Sequence, residues 1–118
     1  MITIDGFNIS IRRGDTGGFT IQTTGYDFGV NDRALFTIKD SNRKAVRRDL
    51  LEITQDNAVL VEFTHAETKS MKVGEYTWDV RFIVDPEYDD NDNLIGGTEI
   101  DTPYTDMRFS VGRTVGDI

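Results

Sequence analysis

Few side chains in this sequence could carry out catalysis. The 118 residues include one histidine, His65, and no cysteine, which excludes a Cys nucleophile, thiolate metal sites and disulfide bonds. Hydrolytic catalysis needs a nucleophile beside a base, and His65 follows a helix-capping threonine, so we expect it at the surface. None of the serines lies in a Gly-x-Ser-x-Gly motif; they are Ser10, Ser41, Ser70 and Ser110. The sequence therefore predicts a protein that is not an enzyme, with no catalytic residue, no metal ligands and no cofactor.

The second candidate site is a calcium site, because an acidic segment of the chain could supply oxygen ligands. Residues 85–106 contain eight acids and no Lys or Arg, and alternate positions from Asp89 to Asn93 resemble the first half of an EF-hand loop. The match then fails, because Leu94 and Ile100 occupy the positions that need Gly and Glu. Asp and Asn also favour turns. We therefore expect a solvated acidic hairpin, and binding of calcium in a different geometry is the alternative.

The acidic segment accounts for the whole net charge of −8. The chain has 13 Lys and Arg against 21 Asp and Glu, so removing these eight acids leaves 13 against 13. An acidic protein repels phosphate backbones and anionic lipid surfaces, and no apolar stretch approaches the roughly 18 residues of a membrane span. The composition thus predicts partners other than nucleic acid or membranes.

A basic cluster forms the second charged feature. Residues 39–48 are polar, which is typical of a hairpin tip, and no aromatic residue lies beside the cluster for base stacking. Complementary patches on different surfaces of one molecule can make heterologous contacts that build rings or stacked arrays. We therefore expect a homo-oligomer or multi-copy assembly. The candidate interface residues are Tyr88, Asp89, Asp90 and Asp92 on the acidic hairpin, and Arg43, Lys44, Arg47 and Arg48 on the basic one.

Residues 13–15 read Arg-Gly-Asp, the tripeptide that integrins bind. Gly and Asp are also ordinary turn residues between strands. Three residues carry little information, so a turn that joins two strands is the preferred interpretation, with adhesion as the alternative.

The elements that must position these residues are mostly strands. Apolar residues recur with a period of two, which is typical of half-buried strands. One helical signal interrupts them, because Thr64 and Glu67 match a capping box and Gly74 marks the latest point at which the helix must stop. The predicted strands cover residues 7–11, 19–24, 34–38, 50–53, 59–63, 75–84, 98–102 and 108–111.

Such a pattern predicts a single domain over residues 1–118, an all-β antiparallel sandwich of about seven strands with one short crossover helix. Gly74 followed by Tyr76 at the start of the longest strand indicates a tyrosine corner, in which the phenol bonds a nearby backbone group. Trp78, two residues later on the same face, is expected to fill the centre of the core.

Four short motifs carry a resemblance to a known family. They are IRRGDT at residues 11–16, FTIKD at 36–40, GEYTWDVR at 74–81 and DNLIGG at 92–97. With these motifs, residues 9–112 resemble the small immunoglobulin-like domains of tailed-phage and prophage structural proteins, such as the N-terminal domain of baseplate upper proteins. The resemblance implies an immunoglobulin-like fold and a place in the virion, assembled in many copies beside other virion proteins after synthesis in the bacterial cytoplasm.

Within that family, several roles are open to this chain. Baseplate members continue into a long receptor-facing region, whereas this sequence ends at Ile118, so we expect a tail, baseplate or fibre adaptor. A capsid decoration or head-fibre protein is the alternative within the same fold. A calcium- or carbohydrate-binding module is the alternative of another class, and its aromatic candidates would be Tyr26, Phe28, Tyr88 and Tyr104.

Overall fold

The computed structural model describes residues 3–5, 8–22, 27–100 and 107–113. Phe7, residues 23–24 and residues 101–102, for which the sequence also predicts strand structure, lie outside this part. The elements in chain order are β1 (Thr3–Asp5), β2 (Asn8–Arg12), β3 (Gly17–Gln22), β4 (Arg33–Lys39), β5 (Ala45–Glu52), β6 (Ala58–Phe63), α1 (His65–Ser70), β7 (Gly74–Tyr88), β8 (Leu94–Ile100) and β9 (Met107–Gly112). No helix among the described residues is long and apolar enough to cross a membrane.

Two sheets form the all-β sandwich that the sequence predicts. The larger sheet has the order β1-β2-β9-β7-β4-β5, and β8 also pairs with β7; the smaller sheet consists of β3 and β6. The expectation of a wholly antiparallel sandwich needs one correction, because β2 and β9 run parallel, with Ile9 opposite Phe109. The final strand inserts between β2 and β7 and runs antiparallel to β7, which sets its direction along β2.

Aromatic side chains fill the space between the sheets. Phe19 of β3 contacts Trp78 and Phe36 of the larger sheet, with ring centroids 5.9 and 6.1 Å apart. Phe63 of β6 lies 5.6 Å from Phe109. Edge and offset ring contacts of this kind add stabilisation beyond the area they bury. The predicted inward faces are confirmed, since the core includes Ala34, Phe36, Ile38, Val59, Val61, Phe63, Tyr76, Trp78, Val80 and Phe82.

Three chain reversals share one turn geometry. In each, the first residue donates its N–H to the carbonyl of the fifth, and its side-chain oxygen accepts the fifth N–H. The fourth residue has a positive φ, as in a type I turn followed by a left-handed residue. The turns begin at Asp40, Thr54 and Asp89, and their fourth residues are Arg43 (62°), Asn57 (56°) and Asp92 (61°).

The basic hairpin is shorter than the sequence predicts. Its turn covers residues 40–44 only, and β5 already begins at Ala45 instead of near residue 50. Arg47 and Arg48 therefore lie within a strand. The sequence predicts only the end of this strand, from residue 50, because the inward positions of its first part are Arg47 and Asp49, which conceal the apolar alternation of an edge strand.

The helix α1 begins as predicted. The Thr64 hydroxyl accepts the N–H of Glu67 at 3.2 Å, and the Glu67 carboxylate accepts the N–H of Thr64 at 2.9 Å. Both bonds of the capping box are therefore present, and the bond from the Thr64 N–H to the carboxylate lowers the pKa of Glu67.

A phenol hydrogen bond holds the connection between α1 and β7. The Tyr76 hydroxyl donates to the carbonyl of Lys72 at 2.6 Å, which is the geometry of a tyrosine corner, and Gly74 lies between them as the first residue of β7. Burial raises the pKa of Tyr76 above its ordinary value of 10.0, so the phenol keeps its proton and donates throughout the neutral range.

The substitution Tyr76→Phe tests this bond, because it removes the hydroxyl and retains the buried ring. We expect the free energy of unfolding to fall by about 1 kcal/mol, the usual contribution of one intramolecular hydrogen bond, measured by urea denaturation. Tyr88→Phe is the matched control, since Tyr88 is 41% exposed, and it should change stability by much less. Equal stability of the two variants would contradict the assigned role of Tyr76.

Candidate functional site

A two-stranded arm, residues 84–98, projects from the larger sheet. The pairing of β4 with β7 ends where Arg33 lies opposite Ile83. Beyond that point β7 pairs with β8 alone, from Val84 opposite Thr98 to Tyr88 opposite Leu94. The arm thus extends the sheet as a hairpin. This is the acidic hairpin that the sequence predicts, with one difference: β7 continues to Tyr88 instead of ending at residue 84.

Two bulges shape the arm. At its base, Asp85 and Pro86 lie opposite the single residue Gly97, and Asp85 has a φ of 50°. A Cβ on Gly97 would lie 2.6 Å from the Ile83 side chain, so only glycine fits there. Nearer the tip, Ile95 is the extra residue on β8. Bulges increase local twist and turn side chains to new directions, and Ile95 is left 65% exposed.

A buried carboxylate anchors the base of the arm. Asp32 is only 6% exposed; its Oδ1 accepts the N–H of Asp85 at 3.0 Å and its Oδ2 accepts the N–H of Gly29 at 2.7 Å. Carboxylate hydrogen bonds to backbone N–H groups are charge-assisted and strong. Asp32 therefore fixes the bulge from which the arm leaves the sheet. Its partner Asp85 lies 53 positions further along the chain, so sequence patterns did not reveal this role.

The arm presents apolar side chains among negative charges. Tyr88 is 41% exposed and Ile95 is 65% exposed. Residues 84–95 contain five acids and no Lys or Arg. An exposed aromatic and an exposed aliphatic residue close together are typical of contact surfaces, where aromatic residues often anchor a partner. Among the predicted interface residues, the structure brings Tyr88, Asp89, Asp90 and Asp92 together at this tip.

The carboxylate of Asp89 is occupied by its own turn. Its Oδ1 accepts the N–H groups of Asn91 at 2.8 Å and Asn93 at 2.9 Å, and its Oδ2 accepts the Asn93 side-chain amide at 3.3 Å. Asp40 bonds the turn of the basic hairpin in the same way. The pattern that resembles a calcium loop is thus explained by turn geometry. Within the described residues, no group of three or more His, Cys, Asp or Glu side chains could hold a metal ion.

The basic residues do not form one surface. Arg43 and Lys44 belong to the β4–β5 turn and are exposed, and Arg48 is exposed on the outward side of β5. The Arg47 side chain is only 15% exposed and points inward. The structure therefore separates Arg47 from the other three predicted interface cations.

Arg47 joins the two sheets. Its guanidinium group lies 4.6 Å from the ring centre of Phe63 and donates to the carbonyl of Glu62 at 2.8 Å. Its Nε also donates to Asp49 at 2.6 Å, and Glu67 of α1 is 3.9 Å away. Arginine suits such a place because its planar fork can stack on a ring and donate in several directions.

The Arg-Gly-Asp turn packs against α1. The Arg13 guanidinium donates to the Lys69 carbonyl at 2.9 Å, and the Asp15 carbonyl accepts the hydroxyl of buried Thr68 at 2.7 Å. The Gly14 carbonyl lies 2.7 Å from His65 Nδ1; because a carbonyl only accepts, Nδ1 carries the proton. The tripeptide therefore has a packing role in this fold, and His65 lies at the surface as expected.

The predicted aromatic candidates for carbohydrate do not share one described face. Phe28 is half-buried against Phe82, with ring centroids 4.9 Å apart, whereas Tyr88 lies on the arm. Tyr26 and Tyr104 lie outside the described residues.

Comparison of the chain with protein-family models, with curated proteins and with solved structures gives no match. The two sheets of the structure support the all-β sandwich, and the resemblance to phage immunoglobulin-like domains stays a prediction.

The substitution Asp32→Asn tests the anchor of the arm, because one of the two acceptor oxygens becomes an amide donor. We expect unfolding free energy to fall by about 1–3 kcal/mol, the cost of leaving a buried polar group unsatisfied. Hydrogen exchange at the Asp85 amide should accelerate more than at Phe109 in the core. Asp27→Asn, at an exposed position, is the control, and an equal effect of both changes would refute the anchor.

Acidification tests the turn at the tip of the arm. Hydrogen bonds from Asn93 and Asn91 lower the pKa of Asp89 below its ordinary value of 3.8. The carboxylate therefore stabilises the turn fully above the unfolded pKa, and this contribution is lost as pH falls through the lower folded value. NMR titration should show the Asp89 carboxyl, together with the Asn91 and Asn93 amides, changing below pH 3.8. A midpoint above that value would contradict the turn.

Proposed function

We propose that this protein is a non-enzymatic structural protein of a tailed-phage or prophage virion, a tail, baseplate or fibre adaptor that acts through protein–protein contacts. The role in the virion comes from the resemblance of residues 9–112. The all-β sandwich is compatible with that role, and a fold of this class serves many functions.

One observation in the structure supports action through contacts, namely the anchored arm with exposed Tyr88 and Ile95. A two-stranded ribbon alone is marginally stable in water. This one is held at its base by Asp32 and at its tip by Asp89. An ordered projection that exposes two large apolar side chains suits contact with a neighbouring protein, since single proteins seldom leave such groups clustered on a protruding element.

Particle purification tests the proposed role. We expect the chain to co-sediment with virions from a lysate of a producing strain, in several copies per particle, as measured by quantitative mass spectrometry. Separation of heads from tails then distinguishes an adaptor, found with tails, from a decoration or head-fibre protein, found with heads. Absence of the chain from both fractions would refute a virion role.

Variants connect the arm to that role. The double change Tyr88→Ser and Ile95→Ser should reduce the copies per particle by about tenfold, the effect of losing roughly 1.4 kcal/mol of contact energy. Leu60→Ser is the control, because Leu60 is 50% exposed on the smaller sheet. Normal incorporation of the arm variant would exclude the arm as the contact surface.

A further inference from the structure

A groove lies at the end of the molecule opposite the arm, and its apolar lining suits the exposed apolar side chains of the arm. It lies between the β4–β5 turn and the loop that joins α1 to β7, with a volume of about 570 Å³. Its apolar lining includes Met71 together with Val46 and Val73, which are 47% and 44% exposed. This groove offers apolar surface of the kind that exposed Tyr88 and Ile95 would need.

The two chain segments that form the groove carry more basic than acidic residues, whereas the arm is acidic. Residues 39–46 and 69–76, which form its two walls and their flanks, contain five Lys and Arg and two acids. Both acids are engaged locally: Asp40 accepts two N–H groups of its turn, and Glu75 accepts the Ser110 hydroxyl. Lys44 and Lys72 line the groove together with these two acids, so the lining itself is neutral. The excess positive charge comes from Lys39, Arg43 and Lys69 on the flanks, and the two segments together carry a net charge of +3, against −5 for residues 84–95.

Strand β7 places the two features far apart. Its first residues, Gly74 to Tyr76, line the groove, and its last residue, Tyr88, belongs to the arm. Fifteen residues at about 3.3 Å each span close to 50 Å in a fully extended strand, comparable with the longest dimension of 46 Å. An arm therefore does not reach the groove of its own molecule, whereas the arm of a second copy does.

We propose that the arm of one copy docks into the groove of the next, in a head-to-tail contact between identical chains. This inference rests on the proposed function in naming the partner of the arm. Tyr88 and Ile95 would contact the apolar lining, while the acids of the tip would face Lys44 and Lys72. Contacts between different patches of one molecule are heterologous, and they generate rings or open stacks.

The contact is expected to be weak as a single pair. The arm has fifteen residues, 84–98, whereas a stable interface uses roughly 20–30 residues a side. Multivalency strengthens such a contact when several copies are held together in an array. Association should therefore rise with protein concentration and fall with salt, because added ions screen exposed charges beyond about 10 Å at 0.1 M.

Sedimentation velocity of the purified chain tests the inference. At low ionic strength the weight-average mass should increase with concentration, and at high ionic strength the dissociation constant should rise about tenfold, equivalent to 1.4 kcal/mol. The groove variant Lys44→Glu with Lys72→Glu and the arm variant Tyr88→Ser with Ile95→Ser should each stay monomeric. The control Arg48→Glu changes an exposed cation outside the groove and should assemble like the wild type.

Mixing the two defective variants provides the decisive measurement. The groove variant retains an intact arm and the arm variant retains an intact groove, so the mixture should form a 1:1 complex that grows no further. Contact between identical patches predicts no such rescue. A monomeric wild type at high concentration, a monomeric mixture, or an arm variant that still assembles would each overturn the inference, provided that thermal melts show folded variants.

These outcomes separate the inference from the proposed function. A monomeric wild type whose arm variant is nevertheless lost from virions would mean that the arm binds a different virion protein. An assembling wild type that is absent from virions would support the head-to-tail contact and refute the virion role.

Discussion

The backbone hydrogen bonds of β7 are the interactions on which the rest of this structure depends. The first part of the strand pairs with β9, its middle with β4, and its last part with β8. Because strand side chains alternate between faces, the same strand also directs Tyr76, Trp78 and Val80 into the core, where β3 and β6 cover them. One continuous strand thus builds the sandwich, begins at the groove and ends in the arm.

A strand that extends beyond its sheet exposes unpaired backbone groups, and this protein protects them with local features. The free edge of a ribbon invites pairing with other chains, and bulges and charges are common means of preventing it. Here both are present, in the bulges at Asp85 and Ile95 and in the acids of the arm. The Asp32 carboxylate and the Asp89 turn then order what would otherwise be a marginal hairpin. The arm is consequently rigid at both ends while its apolar side chains remain exposed.

Much of the fold could be predicted because its signals are local. Apolar alternation identified the inward faces of β4, β6 and β7, and Thr64 with Glu67 identified the helix start. The turns that begin at Asp40 and Asp89 were also predictable in principle, since Asp and Asn favour turns through local hydrogen bonds. In contrast, the first part of β5, residues 45–49, was not predicted because Arg47 occupies an inward position. An arginine in a polar run normally indicates solvent, and only the rings of Phe36 and Phe63 show why this one is inside.

By itself, the sequence determined the all-β class, the helix cap, the tyrosine corner and the separation of charge into one acidic and one basic stretch. These features depend on side chains close together in the chain. The tertiary structure alone decided that Asp32 holds the arm, that the Arg-Gly-Asp turn packs on α1, and that arm and groove lie at opposite ends of β7. Each of those outcomes depends on contacts or distances between residues remote in sequence, as between Asp32 and Asp85, and such contacts leave no periodic pattern in the chain.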